Sequence, residues 1–155
     1  MKKVISIIVL ILWMIVIFSF SSADANESTG TSDKVIGTMI EIKDKITDSN
    51  TSIEDKNFII DNMSFIVRKI AHVTEYLILG LLMFNVLMQY NISNIYYAII
   101  LCVIYSCTDE IHQLFINGRS GSIRDVLIDS IGIIIGTYLY KLIFIKKDKK
   151  VIKNN

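Results

Sequence analysis

The chain has few cysteines and little net charge, and each shortage excludes a class of protein. Only two cysteines occur in 155 residues, Cys102 and Cys107, and both lie in one apolar run. Helical residues five apart are separated by roughly 8 Å, which is beyond the reach of a disulfide. We therefore exclude a disulfide framework and interpret both as packing residues. The formal net charge of +1 provides no basic field to attract nucleic acid, and no nucleic-acid-binding motif accompanies it.

Sequence signatures of common catalytic and cofactor sites are also missing. The chain has no nucleophile elbow, P-loop, dinucleotide fingerprint or C-x-x-C metal motif. We therefore expect no resident cofactor. Hydrophobic residues, in contrast, are abundant: they make up 52% of the chain, and the mean hydropathy is +0.52. This composition is too apolar for an ordinary soluble domain and indicates a membrane protein.

The apolar runs predict a single all-α domain, residues 1–155, built as a bundle of four transmembrane helices. We place these helices at residues 4–20, 70–90, 92–110 and 123–145. A span needs about 20 residues, so the second helix has to begin near Ile70, which draws His72 and Glu75 into the membrane interface or the upper hydrocarbon. The first run also fits the hydrophobic core of a signal peptide. A retained helix is the favoured interpretation, and both alternatives stay open.

Residues 21–67 predict a solvated extracytoplasmic insertion. The stretch 21–61 contains nine acidic residues against four lysines. Apolar residues recur at near-helical spacing in both halves of the insertion, which predicts two amphipathic helices. These helices could form a lid over a site, or they could simply pack on the membrane surface or the bundle.

Lysines at both ends of the chain predict the topology of this cell-membrane protein. Lys2 and Lys3 precede the first apolar run, and residues 146–155 contain five lysines against one aspartate. The positive-inside rule then places both termini in the cytoplasm. With four spans, the start of the second helix, the end of the third, the outer loop 111–122 and the start of the fourth all lie on the extracytoplasmic side.

Polar residues from these three stretches form one candidate functional cluster at that side of the membrane. Its members are Arg68, Lys69, His72, Glu75, Tyr76, Asp109, Glu110, His112, Gln113, Gly118, Arg119, Arg124, Asp125 and Asp129. Its basic residues lie on the outer side of the membrane, where the positive-inside rule disfavours them. A local interaction therefore has to account for their position. They could neutralise the carboxylates, or they could bind an anionic or amphiphilic ligand.

The start of the fourth helix favours the second explanation. Ser122 and Asp125 have the spacing of a capping box. Free N–H groups and the helix dipole at such a start form an anion site, with Arg119 and Arg124 beside it. Gly132 and Gly136, further along, have the small-x-x-x-small spacing that allows another helix to approach closely.

A catalytic alternative also follows from the same cluster. His72 and Glu75, together with Asp109, Glu110 and His112, supply nitrogen and oxygen atoms suited to zinc, manganese or magnesium. None of them matches a specific metal motif, so the leading expectation is a site without a metal. An intramembrane hydrolase or transferase with His72 as base or metal ligand remains the alternative. A purely structural role for the charges is the third hypothesis.

Three ordered motifs make the chain similar to the VanZ-like family of small bacterial membrane proteins, over nearly its full length. They are Arg68-Lys69-x-x-His72-x-x-Glu75-Tyr76 with Gly80, then Asp109-Glu110-x-His112-Gln113-x-Phe115, then Gly118-Arg119 with Arg124-Asp125 and Asp129-x-x-Gly132, preceded by an opening Phe18-to-Ser22 stretch. Ala23 stands where the family commonly has glutamine. Asn117 stands where proline usually precedes Gly-Arg, in a chain without any proline.

The resemblance implies a multi-pass membrane protein whose founding member lowers susceptibility to teicoplanin-type glycopeptides. The leading hypothesis is therefore a cell-envelope protein that binds an anionic or amphiphilic ligand, such as a lipid-linked wall precursor or a glycopeptide. Arg68, Arg119 and Arg124 would contact the anion, and the residues orienting them would be His72, Glu75, Asp109 and Asp125. Its expected surroundings are the lipid bilayer, with no nucleic acid, and the oligomeric state is left open.

Overall fold

The computed structural model describes residues 1–145, which form an all-α protein. Across this range five α-helices follow one another and no strand occurs: α1 (Lys2–Ser21), α2 (Ala25–Thr47), α3 (Ile53–Gln89), α4 (Ile95–Gln113) and α5 (Ile123–Tyr140), which a π-helical segment, Lys141–Ile145, continues. All but α2 are long and apolar enough to cross a membrane. The predicted all-α bundle of four membrane helices is confirmed. The lysine-rich tail, residues 146–155, lies outside the described residues.

The first helix is packed into the bundle by a few buried side chains and two long-range hydrogen bonds. Leu10 and Ile17 are buried, while most other apolar side chains of α1 are exposed, as expected for a helix surrounded by lipid. The Trp13 indole N–H donates to the backbone carbonyl of Glu75 in α3 (2.9 Å). The Tyr105 hydroxyl of α4 donates to the backbone carbonyl of Met14 (2.7 Å). These bonds fix α1 against both α3 and α4.

A helical hairpin connects the first two membrane helices. Its first arm is α2, which begins where the Asp24 carboxylate accepts a hydrogen bond from the Glu27 N–H (2.8 Å). Its second arm is the N-terminal part of α3, which runs for 37 residues without a break. At 1.5 Å per residue α3 is about 55 Å long, against roughly 30 Å of hydrocarbon. The two amphipathic helices expected in residues 21–67 are therefore one helix and the first part of a membrane helix.

The two arms of the hairpin pack along each other. Ser32, Ile36 and Ile40 are buried, and their four-residue spacing places them on one face of α2. On the facing arm, the Ser64 hydroxyl donates to the Asp33 carboxylate. Burying each isoleucine contributes about 1.5–3 kcal/mol, so α2 is held on α3 mainly by this short apolar stripe.

Two glycines allow α3 and α5 to pack with their backbones in contact. A Cβ added at Gly132 would collide with the backbone carbonyl of Val73, and one added at Gly136 would collide with that of Leu77. The prediction that this glycine pair admits another helix is confirmed, and the helix admitted is α3. The close approach brings the start of α5 against the middle of α3.

Polar contacts distinguish the two ends of the bundle. At one end, the Ser6 hydroxyl of α1 accepts hydrogen bonds from Asn85 (3.4 Å) and Gln89 (2.5 Å) of α3. The Tyr140 hydroxyl of α5 donates to the Asn85 side-chain carbonyl (3.0 Å). The opposite end gathers the last turn of α1, the middle of α3, the end of α4 and the start of α5. The three polar stretches identified in the sequence thus meet at one end, which α2 covers.

Candidate functional site

Two arginines at this end, Arg68 of α3 and Arg119 of the α4–α5 loop, have no acidic partner among the described residues. Arg68 Nη2 donates to the Thr29 hydroxyl of α2 (2.6 Å), and Arg68 Nε is buried without a hydrogen-bond partner. Arg119 donates two long bonds, to the Gln113 side-chain carbonyl and to the Phe20 backbone carbonyl (both 3.4 Å). Within residues 1–145, neither guanidinium has a carboxylate oxygen within 4.0 Å. We refer to these two residues as the arginine pair.

The surroundings of the arginine pair disfavour its positive charge. Burial lowers the pKa of Arg119, and the neighbouring charge of Arg68 lowers it further, while carboxylates at longer range act in the opposite direction. Both effects disfavour the charged guanidinium, which nevertheless stays charged because its ordinary pKa is so high. The pair therefore presents concentrated positive charge that the described residues leave without a direct counter-charge.

Two cavities flank the arginine pair, and both are lined by Arg68, His72 and Arg119. The first cavity, of about 200 Å³, lies between α1, α2 and α3. Its remaining lining residues are Phe20, Ala23, Ser28, Thr31, Ser32, Ala71 and Glu75. The second cavity, of about 160 Å³, lies toward the α4–α5 loop. Its remaining lining residues are Ala25, Phe65, Lys69, Gln113, Gly118, Ser120 and Asp125.

The start of α5 is occupied by groups of the protein itself. Ser122 caps the helix by accepting a hydrogen bond from the Arg124 N–H (3.2 Å). Its own N–H donates to Glu110 Oε2 (2.8 Å) rather than to Asp125, so the reciprocal contact of the predicted capping box comes from α4. Asp125 instead forms an ion pair with Lys69 (2.5 Å). The anion site expected at this helix start therefore has few free N–H groups, and the arginine pair is the stronger candidate for an anion.

His72, which lines both cavities, faces Asp129 of α5. His72 Nδ1 lies 4.0 Å from Asp129 Oδ1, and both atoms are buried without a hydrogen-bond partner. The other oxygen of Asp129 accepts a hydrogen bond from the Ser106 hydroxyl of α4 (2.7 Å). The separation exceeds a direct hydrogen bond, so a small movement of the ring would be needed to form one.

A second buried carboxylate is held by neutral donors. Asp109 Oδ2 accepts hydrogen bonds from the Tyr76 hydroxyl (3.2 Å) and from the Gln113 amide (3.3 Å). The same amide donates to Glu110 Oε1 (3.3 Å). Glu75, in contrast, lines the first cavity, and its carboxylate forms no hydrogen bond or ion pair with the described residues. Among residues 1–145, one oxygen of each buried aspartate, Asp109 Oδ1 and Asp129 Oδ1, has no hydrogen-bond partner. The cluster thus combines partly hydrogen-bonded carboxylates in the interior with cationic groups on the cavity walls.

The family model VanZ/LLP1 matches residues 6–144, which cover nearly the whole chain and all of the cluster. The chain belongs to the VanZ/LLP1 family. No curated protein and no solved structure matches it.

Six residues of the predicted cluster line neither cavity of this VanZ/LLP1 protein: Tyr76, Asp109, Glu110, His112, Arg124 and Asp129. The His112 ring stacks on Phe18 of α1 with centroids 4.4 Å apart, and its Nε2 lies 3.2 Å from the Ser22 hydroxyl. Arg124 is exposed, and its side chain has no hydrogen-bond or ion-pair partner in the part of the chain that the structure describes. The structure brings the other cationic members together around the arginine pair.

Sequence analysis gave a lid over the site as one alternative for the segment that contains α2, but it named no residue of α2 as part of the site. Ser28, Thr31 and Ser32 line the first cavity, and Thr29 binds Arg68. Their spacing places a stripe of short hydroxyl side chains along one side of the helix. That stripe was present in the sequence, but serine and threonine are equally typical of solvated segments and carry little information by themselves.

The histidine and acidic side chains of residues 1–145 are too dispersed to hold a metal ion together. In residues 1–145, no group of three or more histidine, cysteine, aspartate and glutamate side chains converges on a common point. Of the neighbouring carboxylates, Asp125 pairs with Lys69 and Glu110 accepts a hydrogen bond from the Ser122 N–H. Glu75 lines the first cavity as its only carboxylate within residues 1–145. The residues shared by the two cavities, Arg68, His72 and Arg119, thus form a cationic pocket that contains a histidine.

Proposed function

We propose that this protein binds an anionic or amphiphilic ligand of the cell envelope, and that the anionic group lies between Arg68 and Arg119. The single observation behind this proposal is that both guanidiniums are half-buried and that no carboxylate of residues 1–145 lies within 4.0 Å of them. Burying a charge without a partner is costly. A structural role alone would favour placing a carboxylate between them, as Asp125 is placed against Lys69.

Guanidinium groups suit phosphate and carboxylate ligands because their planar donors match two acceptor oxygens at once. Arg68 Nε is buried and has no hydrogen-bond partner among residues 1–145, and Arg119 makes only long bonds that a ligand could replace. Glu75 and His72 lie beside the pair on the cavity wall. In this proposal the arginines contact the anion, and the neighbouring polar groups orient it.

The proposed location of the site is the extracytoplasmic surface of the membrane, with both termini in the cytoplasm. The start of α1 and the end of α5 lie at the end of the bundle opposite the arginine pair. Lys2 and Lys3 at that end agree with the positive-inside rule. Cysteine accessibility tests this topology: a cysteine at Asn50, in the α2–α3 turn, should react with an impermeant maleimide added to intact cells lacking reactive native thiols.

Binding can be measured on the purified protein in nanodiscs of phosphatidylcholine containing an increasing fraction of phosphatidylglycerol. Native mass spectrometry counts the anionic lipids retained after the disc is removed. Arg68→Gln and Arg119→Gln should each lower retention about tenfold or more, since a charged hydrogen bond contributes about 1.5–3 kcal/mol. Arg124→Gln is the matched control because it removes the same charge outside both cavities. Equal retention by all three variants would contradict the proposal.

A contribution to lowered glycopeptide susceptibility is the proposed cellular consequence. Expression in a susceptible Gram-positive host should raise the inhibitory concentration of a teicoplanin-type glycopeptide. The Arg68→Gln, Arg119→Gln double variant should lose that increase at unchanged membrane abundance, and Arg124→Gln should keep it. Loss of abundance in the double variant alone would point instead to a structural role for the pair.

One observation favours a second candidate function, an intramembrane hydrolase or transferase acting on a lipid-linked envelope substrate. The unpartnered atoms His72 Nδ1 and Asp129 Oδ1 face each other beside the cavities, and a carboxylate that orients a histidine is a common arrangement for a general base. Incubating the protein with a polyprenyl diphosphate and measuring released phosphate tests this. Turnover that is lost in His72→Asn while lipid retention persists would support the enzyme.

A further inference from the structure

The two cavities beside the arginine pair differ in what surrounds them. The first is bordered by Phe20 and Ala71, both exposed, and by Ala23. Phe20 belongs to the last turn of the membrane helix α1 and is 59% exposed, so this border faces the lipid at the end of the spanning segment. An acyl chain entering from the bilayer would meet apolar surface here before reaching the arginines.

The second cavity has a more polar lining than the first. Ser120 is exposed at its edge, and the side chains of Lys69, Gln113 and Asp125 line it. The positions of Lys69 and Asp125 are fixed by their ion pair (2.5 Å), so this wall presents preorganised donors and acceptors. Hydroxyl-rich groups suit such a wall because each hydroxyl both donates and accepts.

We infer that the ligand is a phosphodiester amphiphile that occupies both cavities, with its lipid chain in the first, its phosphate between Arg68 and Arg119, and its hydroxyl-bearing headgroup in the second. The two cavities share only Arg68, His72 and Arg119 among their lining residues. A ligand that spans them therefore has to place its charged group at the arginine pair. This inference rests on the proposed function and extends it by naming the ligand's class and orientation.

The only tryptophan of the chain provides an internal probe. The Trp13 indole N–H is bonded to the backbone of Glu75, and Glu75 lines the first cavity. Brominated acyl chains quench tryptophan fluorescence on contact. In phosphatidylcholine nanodiscs, brominated-chain phosphatidylglycerol should quench Trp13 saturably at a low mole fraction, whereas unselective contact with bulk lipid gives quenching proportional to that fraction.

Bulky substitutions separate the two cavities. Ala71→Phe narrows the first cavity and should raise the half-saturating fraction of phosphatidylglycerol about tenfold, while competition by water-soluble glycerol 3-phosphate at the arginines should be unchanged. Ile70→Phe is the matched control, because Ile70 is exposed on the same helix and lines neither cavity.

The second cavity is tested with Ser120→Phe, which fills its edge. The wild type should bind brominated phosphatidylglycerol more tightly than brominated phosphatidic acid, which lacks the glycerol headgroup, and Ser120→Phe should remove that preference. Asn117→Phe is the control for this variant.

The outcomes distinguish this inference from the proposal beneath it. If Arg68→Gln and Arg119→Gln abolish saturable quenching but Ala71→Phe and Ser120→Phe do not alter it, the anion site stands and the two-cavity orientation is wrong. If glycerol 3-phosphate binds as tightly as the lipid, the ligand is a free phosphate and the chain assignment fails. If the arginine variants quench like the wild type, the anion site itself is refuted. Unchanged thermal midpoints of the exposed-site variants confirm folding.

Discussion

The ammonium group of Lys69 lies 2.5 Å from Asp125 Oδ1, and this ion pair joins the middle of α3 to the first turn of α5. Both side chains are about one-fifth exposed (19% and 23%), so water screens the pair only in part. The pair explains why only two of the three cationic side chains lining the second cavity, Arg68 and Arg119, lack a direct counter-charge within residues 1–145. It also holds the first turn of α5, which follows the loop that carries Arg119, against α3.

Breaking this pair should destabilise the bundle. We expect Lys69→Gln or Asp125→Asn to lower the free energy of unfolding by about 1–3 kcal/mol, between the values for exposed and fully buried pairs. The exchanged double variant, Lys69→Asp with Asp125→Lys, should recover part of that loss, although a lysine in the first turn opposes the helix dipole. Thermal unfolding in one detergent measures all three. Arg124→Gln, one residue away and exposed, is the control and should stay within about 0.5 kcal/mol of the wild type.

The four membrane helices could be predicted because a span needs a long apolar run whatever its partners are. The same argument predicted which residues form the polar end of the bundle, because Glu75 and Asp129 are charged groups within or beside such runs. Which carboxylate pairs with which cation could not be predicted. That choice depends on helix rotation and crossing, and here it is set by the backbone contact of Gly132 and Gly136 with α3.

The hairpin was harder to predict than the spans. Residues 53–69 have an amphipathic pattern that ends where the apolar run begins, so periodicity alone suggests two elements, yet α3 continues through both. No proline or glycine interrupts α3 before Gly80, and without a breaker the helix simply propagates. The role of α2 as a wall of the first cavity was less accessible still, because its cavity-facing residues are short hydroxyl side chains.

The turn between α2 and α3 should weaken in acid. Asp44 accepts hydrogen bonds from the Thr51 hydroxyl (2.6 Å) and the Thr51 N–H (3.0 Å), and these bonds, the hydroxyl first, lower the pKa of Asp44 below its usual 3.8. A lowered pKa in the folded state means that the stabilisation is complete above pH 3.8 and is lost as the pH falls below it toward the folded-state value. Thr51 amide exchange, corrected for intrinsic rate, should therefore lose protection over that range. Thr51→Val should show a smaller change with pH at neighbouring amides, and an equal change would contradict the assignment.

Removing the indole N–H of Trp13 should loosen α1. Its hydrogen bond to the Glu75 carbonyl (2.9 Å) joins α1 to the helix that carries Arg68 and His72. Trp13→Phe removes that bond and part of the side-chain volume, and we expect a loss of about 1–3 kcal/mol from the bond and the smaller ring together. Thermal unfolding measures the loss. Phe20→Leu, which shortens an exposed ring of the same helix, is the control, and an equal loss there would show that the bond itself contributes nothing.

The contact between α3 and α5 should be intolerant of a single methyl group. An added Cβ at Gly136 would collide with the backbone carbonyl of Leu77, and because both atoms belong to helical backbones the helices must separate to admit it. We expect Gly136→Ala to destabilise the protein by more than about 2 kcal/mol, despite the higher helix propensity of alanine. Gly37→Ala in α2 is the matched control: its Cβ would meet nothing within 4 Å, so propensity alone should stabilise it by about 0.5–1 kcal/mol. Opposite signs for the same substitution, measured by thermal unfolding in one detergent, would identify the α3–α5 backbone contact as the constraint that holds the arginine pair in place.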